Sequence, residues 1–163
     1  MTADDGADLG ILLTLALRAF VDQLHAELRT RGFSDVRPAF GVVFRALQGE
    51  PLTLTALAAR LGVTKQSAAK VVDEMEGKRL LRRRSSRTDG RAKLIELTPR
   101  GRRAMATAIE IGANINQRLR DAAGPRATVT MHQSLATFID LAGLGEDLAR
   151  RSSPAVWDGP DGS

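Results

Sequence analysis

Apolar residues recur along most of this chain at three- and four-residue steps, the spacing that gives a helix one buried face. Leu13, Leu17, Phe20, Leu24 and Leu28 form such a stripe and predict a helix over residues 9–30, ended by Gly32. Pro38 suits the first turn of a second helix, which runs through Phe40, Val43, Phe44 and Leu47 and stops near Gly49. Thr53 can cap a third, short helix containing Leu54, Leu57, Ala58 and Leu61, with Gly62 just past its end. Thr64 can cap a fourth over residues 65–76, whose buried stripe is Ala68, Val71, Val72 and Met75. The period then changes. Residues 80–84 and 93–97 read as two short strands around a polar loop, residues 85–92, that carries an Asp89-Gly90 turn signal. Thr98 and Pro99 open a further helix to about Ala122, Gly124-Pro125 breaks it, and a last helix is expected over residues 129–148. Residues 1–8 and 149–163 read as flexible tails.

The third and fourth helices are separated only by Gly62, Val63 and Thr64, which is the spacing of a helix-turn-helix pair. The hairpin directly after the pair completes a mainly α fold with a small β-hairpin wing. The fourth helix presents Lys65, Gln66, Ala69, Lys70 and Asp73 opposite its apolar stripe. That face suits a DNA major groove. A small Ala69 permits close approach, Gln66 can pair with adenine, and a lysine can reach guanine acceptors or a phosphate. Thr64 and Ser67 sit at the positive end of the helix, where a phosphate is favoured, although a capping role alone would explain Thr64. In the hairpin, Arg87 and Arg91 flank Thr88, Asp89 and Gly90; an arginine there can enter a minor groove, and Asp89 and Gly90 are expected to structure the turn. Arg82, Arg83 and Arg84 alternate sides of a strand, so they cannot all serve one partner; Arg84 is taken as a phosphate contact.

Charge placement strengthens this picture. Residues 60–103 hold 14 Lys/Arg against 5 Asp/Glu, a net of +9, while the remaining residues hold 10 against 14, a net of −4. A basic middle in an acidic chain is the footprint of a phosphate-binding surface. The 43% hydrophobic content is enough for a core. The absence of cysteine excludes disulfides and thiolate metal sites, and His25 and His132 are too few for a histidine cluster. No cofactor or metal is expected. The N-terminal stretch carries Asp4, Asp5 and Asp8 and lacks a signal-peptide layout, so a cytoplasmic location is expected. Residues 9–17 are apolar but Arg18 follows, and a buried helix is the expectation rather than a membrane span of about 20 residues. An enzyme is disfavoured: there is no Gly-rich phosphate loop, no paired histidine motif and no carboxylate cluster beside a base.

Two stretches resemble the MarR family of multiple-antibiotic-resistance regulators. One runs Leu57-Ala58-Ala59-Arg60-Leu61-Gly62-Val63-Thr64-Lys65-Gln66-Ser67, and the other from Asp89-Gly90-Arg91 through Leu97-Thr98-Pro99 to Gly101. The resemblance covers about residues 9–148. It implies a single unit, with a winged helix-turn-helix head over residues 35–100 flanked by dimerisation helices over residues 9–31 and 101–148. It further implies a homodimer that binds a pseudo-palindromic site on double-stranded DNA, with repression as the default output. A small aromatic or lipophilic effector could lower DNA affinity, and Phe20, His25, Phe44 and Arg45 are the conceivable liners of its pocket. One departure concerns the exit of the fourth helix. The family commonly has a glycine where this chain has Arg79, while Gly77 lies two places earlier. If that position needs a positive φ, Arg79 is strained; otherwise the helix ends at Gly77. The family's proline near Arg87 is also missing.

Ala104, Ala108, Ile111 and Ile115 make a stripe in the fifth helix, and Leu135, Phe138, Ile139 and Ala142 make one in the last. Periodicity does not say whether such stripes complete one core or face a partner. Two other functions fit the pattern: a non-specific architectural DNA-binding protein, and a winged-helix module that binds only proteins.

Overall fold

The computed structural model describes residues 8–85 and 92–145. Its elements in chain order are α1 (Leu9–Thr30), α2 (Phe40–Ala46), β1 (Leu52–Thr53), α3 (Leu54–Leu61), α4 (Lys65–Gly77), β2 (Leu81–Ser85), β3 (Lys93–Leu97), α5 (Pro99–Ala123) and α6 (Pro125–Leu141).

Local chemistry sets most of the boundaries. The Thr53 hydroxyl accepts from the Ala56 amide at the start of α3, and Thr98 does the same for Gly101 at the start of α5, where Pro99 supplies a pre-set φ. Gly62 ends α3 in the left-handed conformation at φ 68°, with the Val63 amide donating back to the Ala58 carbonyl. β2 and β3 pair antiparallel with Leu81 opposite Leu97, and β1 adds Leu52 opposite Ile95, giving the order β1-β3-β2. At two residues, β1 is too short to leave a periodic signal, and sequence reading missed it.

The core lies under the head. Phe40, Val43, Leu57, Val72, Met75, Leu80, Leu81 and Ile95 are buried there, with Leu28 from α1 and Ala104 and Ile111 from α5 closing it. The α5 stripe therefore completes this core. The α6 stripe does not: Phe138 is 49% exposed and Ala142 is exposed.

Three expectations need correction. The N-terminal half of α1 is not buried in this chain. Leu9, Ile11, Leu12, Leu15 and Leu17 are exposed and only Leu28 is buried. The last helix begins at Pro125 rather than residue 129, since proline is well placed in a first turn immediately after Gly124. It ends at Leu141, where Gly143 takes φ 74° and the Leu144 amide returns to the Ile139 carbonyl. Residues 146–148 of the expected span lie outside the described residues. Finally, α2 starts at Phe40 and ends at Ala46, with Pro38 in the turn before it rather than in its first turn.

At the exit of α4, both readings of Arg79 are realised at once. The helix ends at Gly77, and Arg79 nonetheless sits at φ 58°, the one described non-glycine residue with positive φ. The Leu80 amide donates to the Met75 carbonyl at 2.9 Å and the Arg79 amide to the Glu76 carbonyl at 2.8 Å. This is a Schellman ending with arginine in the seat usually held by glycine, and Leu80 and Met75, both buried, supply its apolar contact.

Candidate nucleic-acid interface

The α4 helix is seated by its apolar stripe: Ala68, Val71, Val72 and Met75 are all buried. That leaves Lys65, Gln66 and Lys70 exposed on the outer side, with Ala69 half-buried between them. The Thr64 hydroxyl accepts from the Ser67 amide at 3.1 Å and donates to the Ser67 hydroxyl at 2.9 Å. Both hydroxyls thus belong to the helix cap, and they lie at the positive end of the helix dipole.

The β2 arginines divide as strand alternation requires. Arg82 and Arg84 share Glu96 of β3, each placing a guanidinium nitrogen 2.7 Å from one of its carboxylate oxygens. The hydrogen bond from Arg84, reinforced by Arg82, holds the Glu96 carboxyl below the usual carboxylate range. Arg83 points the other way, onto α4, where it binds Asp73 at 2.7 Å and also Glu76. Sequence reading gave the alternation but not these partners. Arg87 and Arg91, together with Asp89 and Gly90, fall outside the described residues.

The four proposed effector-pocket residues do not share one environment. Phe44 is 3% exposed within the core, and its neighbour Arg45 is exposed on the other side of α2. Phe20 is half-buried on α1 against α5, where its ring tip faces Gly112. The His25 Nδ1 lies 3.1 Å from the Val36 carbonyl, and burial pushes the imidazole pKa down despite that hydrogen bond. A shallow, open depression of about 300 Å³ lies elsewhere, along Asp8, Gly10, Ile11, Thr14 and Leu15 at the start of α1. Among the described residues, no group of three or more His, Cys, Asp or Glu side chains is placed to hold a metal ion.

Comparison with known proteins gives a consistent answer. No curated relative matches the chain. A transcriptional repressor, CouR, bound to a 23-mer DNA duplex superposes with a TM-score of 0.62 at 26% identity, over 80% of this chain and 92% of that one. FabT from Streptococcus pneumoniae in complex with DNA has a TM-score of 0.71 at 18% identity, over 86% and 96% of the two chains. RV1404 from Mycobacterium tuberculosis has a TM-score of 0.68 at 24% identity, over 86% and 97%. All three share the fold of this chain. The family model that matches is that of the MarR family, over residues 41–92, which run from within α2 to the residue before β3. The head of this chain therefore matches the MarR family over residues 41–92, and the chain as a whole shares the winged-helix fold of these solved structures.

Proposed function

We propose that this chain is a sequence-specific regulator of transcription, a repressor in the cytoplasm that binds a pseudo-palindromic duplex site as a homodimer. The observation that carries the reading is the division of α4: one face is buried in the core while Lys65, Gln66 and Lys70 stand exposed on the other. In this reading Gln66, Ala69 and a lysine meet base edges in the major groove. Thr64, Ser67 and Arg84 meet phosphates, and Arg87 and Arg91 follow the minor groove beside a turn built by Asp89 and Gly90. CouR and FabT, both solved on DNA, support the choice of duplex as partner.

The dimer reading rests on apolar surface. Besides the exposed leucines and isoleucine at the start of α1, α6 and the turn after it expose Val129, Phe138, Leu141 and Leu144. Apolar area on this scale marks a partner site, and a second copy supplies matching surfaces by symmetry. Among the described residues, α1 is also the helix long and apolar enough to cross a membrane. Its C-terminal end argues against a span: Glu27, and Arg31 just past the helix, are tied to α5 by Glu27–Arg118 at 2.7 Å and Arg31–Glu110 at 2.8 Å. Inserting α1 would carry these charged groups out of water. A DNA-bound dimer gains affinity because the second half-site is met at high effective concentration. An effector that spreads or closes the two heads would lower affinity by favouring a spacing the site does not match.

The direct test is a gel-shift comparison between the chain's own upstream intergenic DNA and random duplex. Preference for the former is expected. Equal binding would favour an architectural DNA-binding protein, and no binding a protein-interaction module.

A further inference from the structure

The helix proposed to read DNA is acidic overall. From Lys65 to Gly77 it carries Lys65 and Lys70 against Asp73, Glu74 and Glu76, a net charge of −1. All three carboxylates lie in its second half, where the helix dipole already disfavours negative charge. A phosphate-facing helix would be repelled by them. Each carboxylate, however, is met by a cation from outside the helix. Glu74 is held by Arg37 at 2.9 Å and by Lys78 at 3.5 Å. Asp73 and Glu76 are held together by Arg83 of β2, whose backbone amide also donates to Glu76 at 3.3 Å.

We propose that Arg83 is a positioning residue of the DNA site, acting through α4: it cancels Asp73 and Glu76 and fixes the helix against the wing, so that the cationic first half faces the duplex. The inference rests on the DNA-binding reading above. Two features support it. Arg83 is the one guanidinium among Arg82, Arg83 and Arg84 that turns toward α4, while the other two meet Glu96 on the opposite face of the strand. Its planar fork can also span two carboxylates at once, which a lysine ammonium does less well. The hydrogen bond to Asp73, with the nearby charge of Glu76, raises the Arg83 pKa further, so the compensating charge is present at every working pH.

The test uses the full chain with a random-sequence duplex as probe, over a range of salt concentrations, for the native protein, Arg83→Ala, and Asp73→Asn/Glu76→Gln/Arg83→Ala. Two carboxylates released beside a phosphate-facing surface are expected to weaken Arg83→Ala by about tenfold at low salt. The triple variant, with all three charges gone, is expected to return to within about threefold of the native protein with the native salt slope. A folded triple variant that stays tenfold weak, or whose slope falls by about one phosphate contact, shows Arg83 touching DNA itself and overturns the proposal. The triple variant decides the matter alone where Arg83→Ala does not fold. Unchanged binding by Arg83→Ala overturns this proposal only, whereas a native protein that binds no duplex overturns the functional reading with it.

Discussion

Gly101 lies so close beneath the Leu80 carbonyl that a Cβ on it would stand 2.0 Å from the Leu80 oxygen. The same carbonyl accepts from the Thr98 amide at 3.0 Å, and the Thr98 hydroxyl reaches the Arg79 carbonyl at 2.6 Å. The first turn of α5 is thus pressed onto the exit of α4, and the proposed reading helix is anchored to the helix that carries the α1 contacts.

Gly101→Ala is therefore expected to destabilise the fold by about 3 kcal/mol, since the clash is with backbone and cannot be relieved by a rotamer change. Urea unfolding measures this; an unchanged midpoint would show that the turn can shift at little cost.

Arg79→Gly should act in the opposite direction. A non-glycine residue at positive φ costs roughly 1–2 kcal/mol, of which the greater freedom of glycine in the unfolded chain takes back part. A gain of about 1 kcal/mol in urea unfolding is expected, and a loss would mean that the Arg79 side chain makes a contact worth more than the strain.

His25 makes stability depend on pH in a definable window. Its folded-state pKa lies below the ordinary 6.5, so between those two values the unfolded chain binds more protons. The stabilising contribution is complete above 6.5, falls as pH drops through that value, and levels off below the folded pKa. Relative to His25→Gln, the native protein should lose stability as the pH falls below 6.5. Parallel stability curves for the two proteins over that range would remove His25 as the cause.

The dimer reading predicts that Phe138→Asp together with Leu12→Asp yields monomer by sedimentation, at the chain mass of 17.5 kDa, with the head still folded. A dimer that survives both charges would place the contact elsewhere. Loss of dimer should also weaken operator binding by about a hundredfold, the scale of a lost second half-site.

Much of this fold was legible because short-range rules set it. Caps at Thr53, Thr64 and Thr98, the left-handed Gly62 and the four-residue stripe of α4 each announce a boundary or a face. What escaped was non-local. The three-strand sheet needed Leu52 to meet Ile95, and the burial of α5 against the exposure of α6 depended on packing that periodicity does not encode. The outer face of α4 was visible in sequence, but the cations that cancel its acidic half were not. Arg37 and Arg83 lie 37 and 7 residues from the glutamates they hold. The one local hint was three carboxylates in the half of a helix where cations are preferred.

The central claim is that the outer face of α4 reads base sequence. It is tested most directly by measuring Gln66→Ala/Lys70→Ala binding to the selected operator and to random duplex at one salt concentration. The account predicts a loss of about tenfold or more on the operator beyond any loss on random DNA. Equal losses on the two duplexes would contradict it.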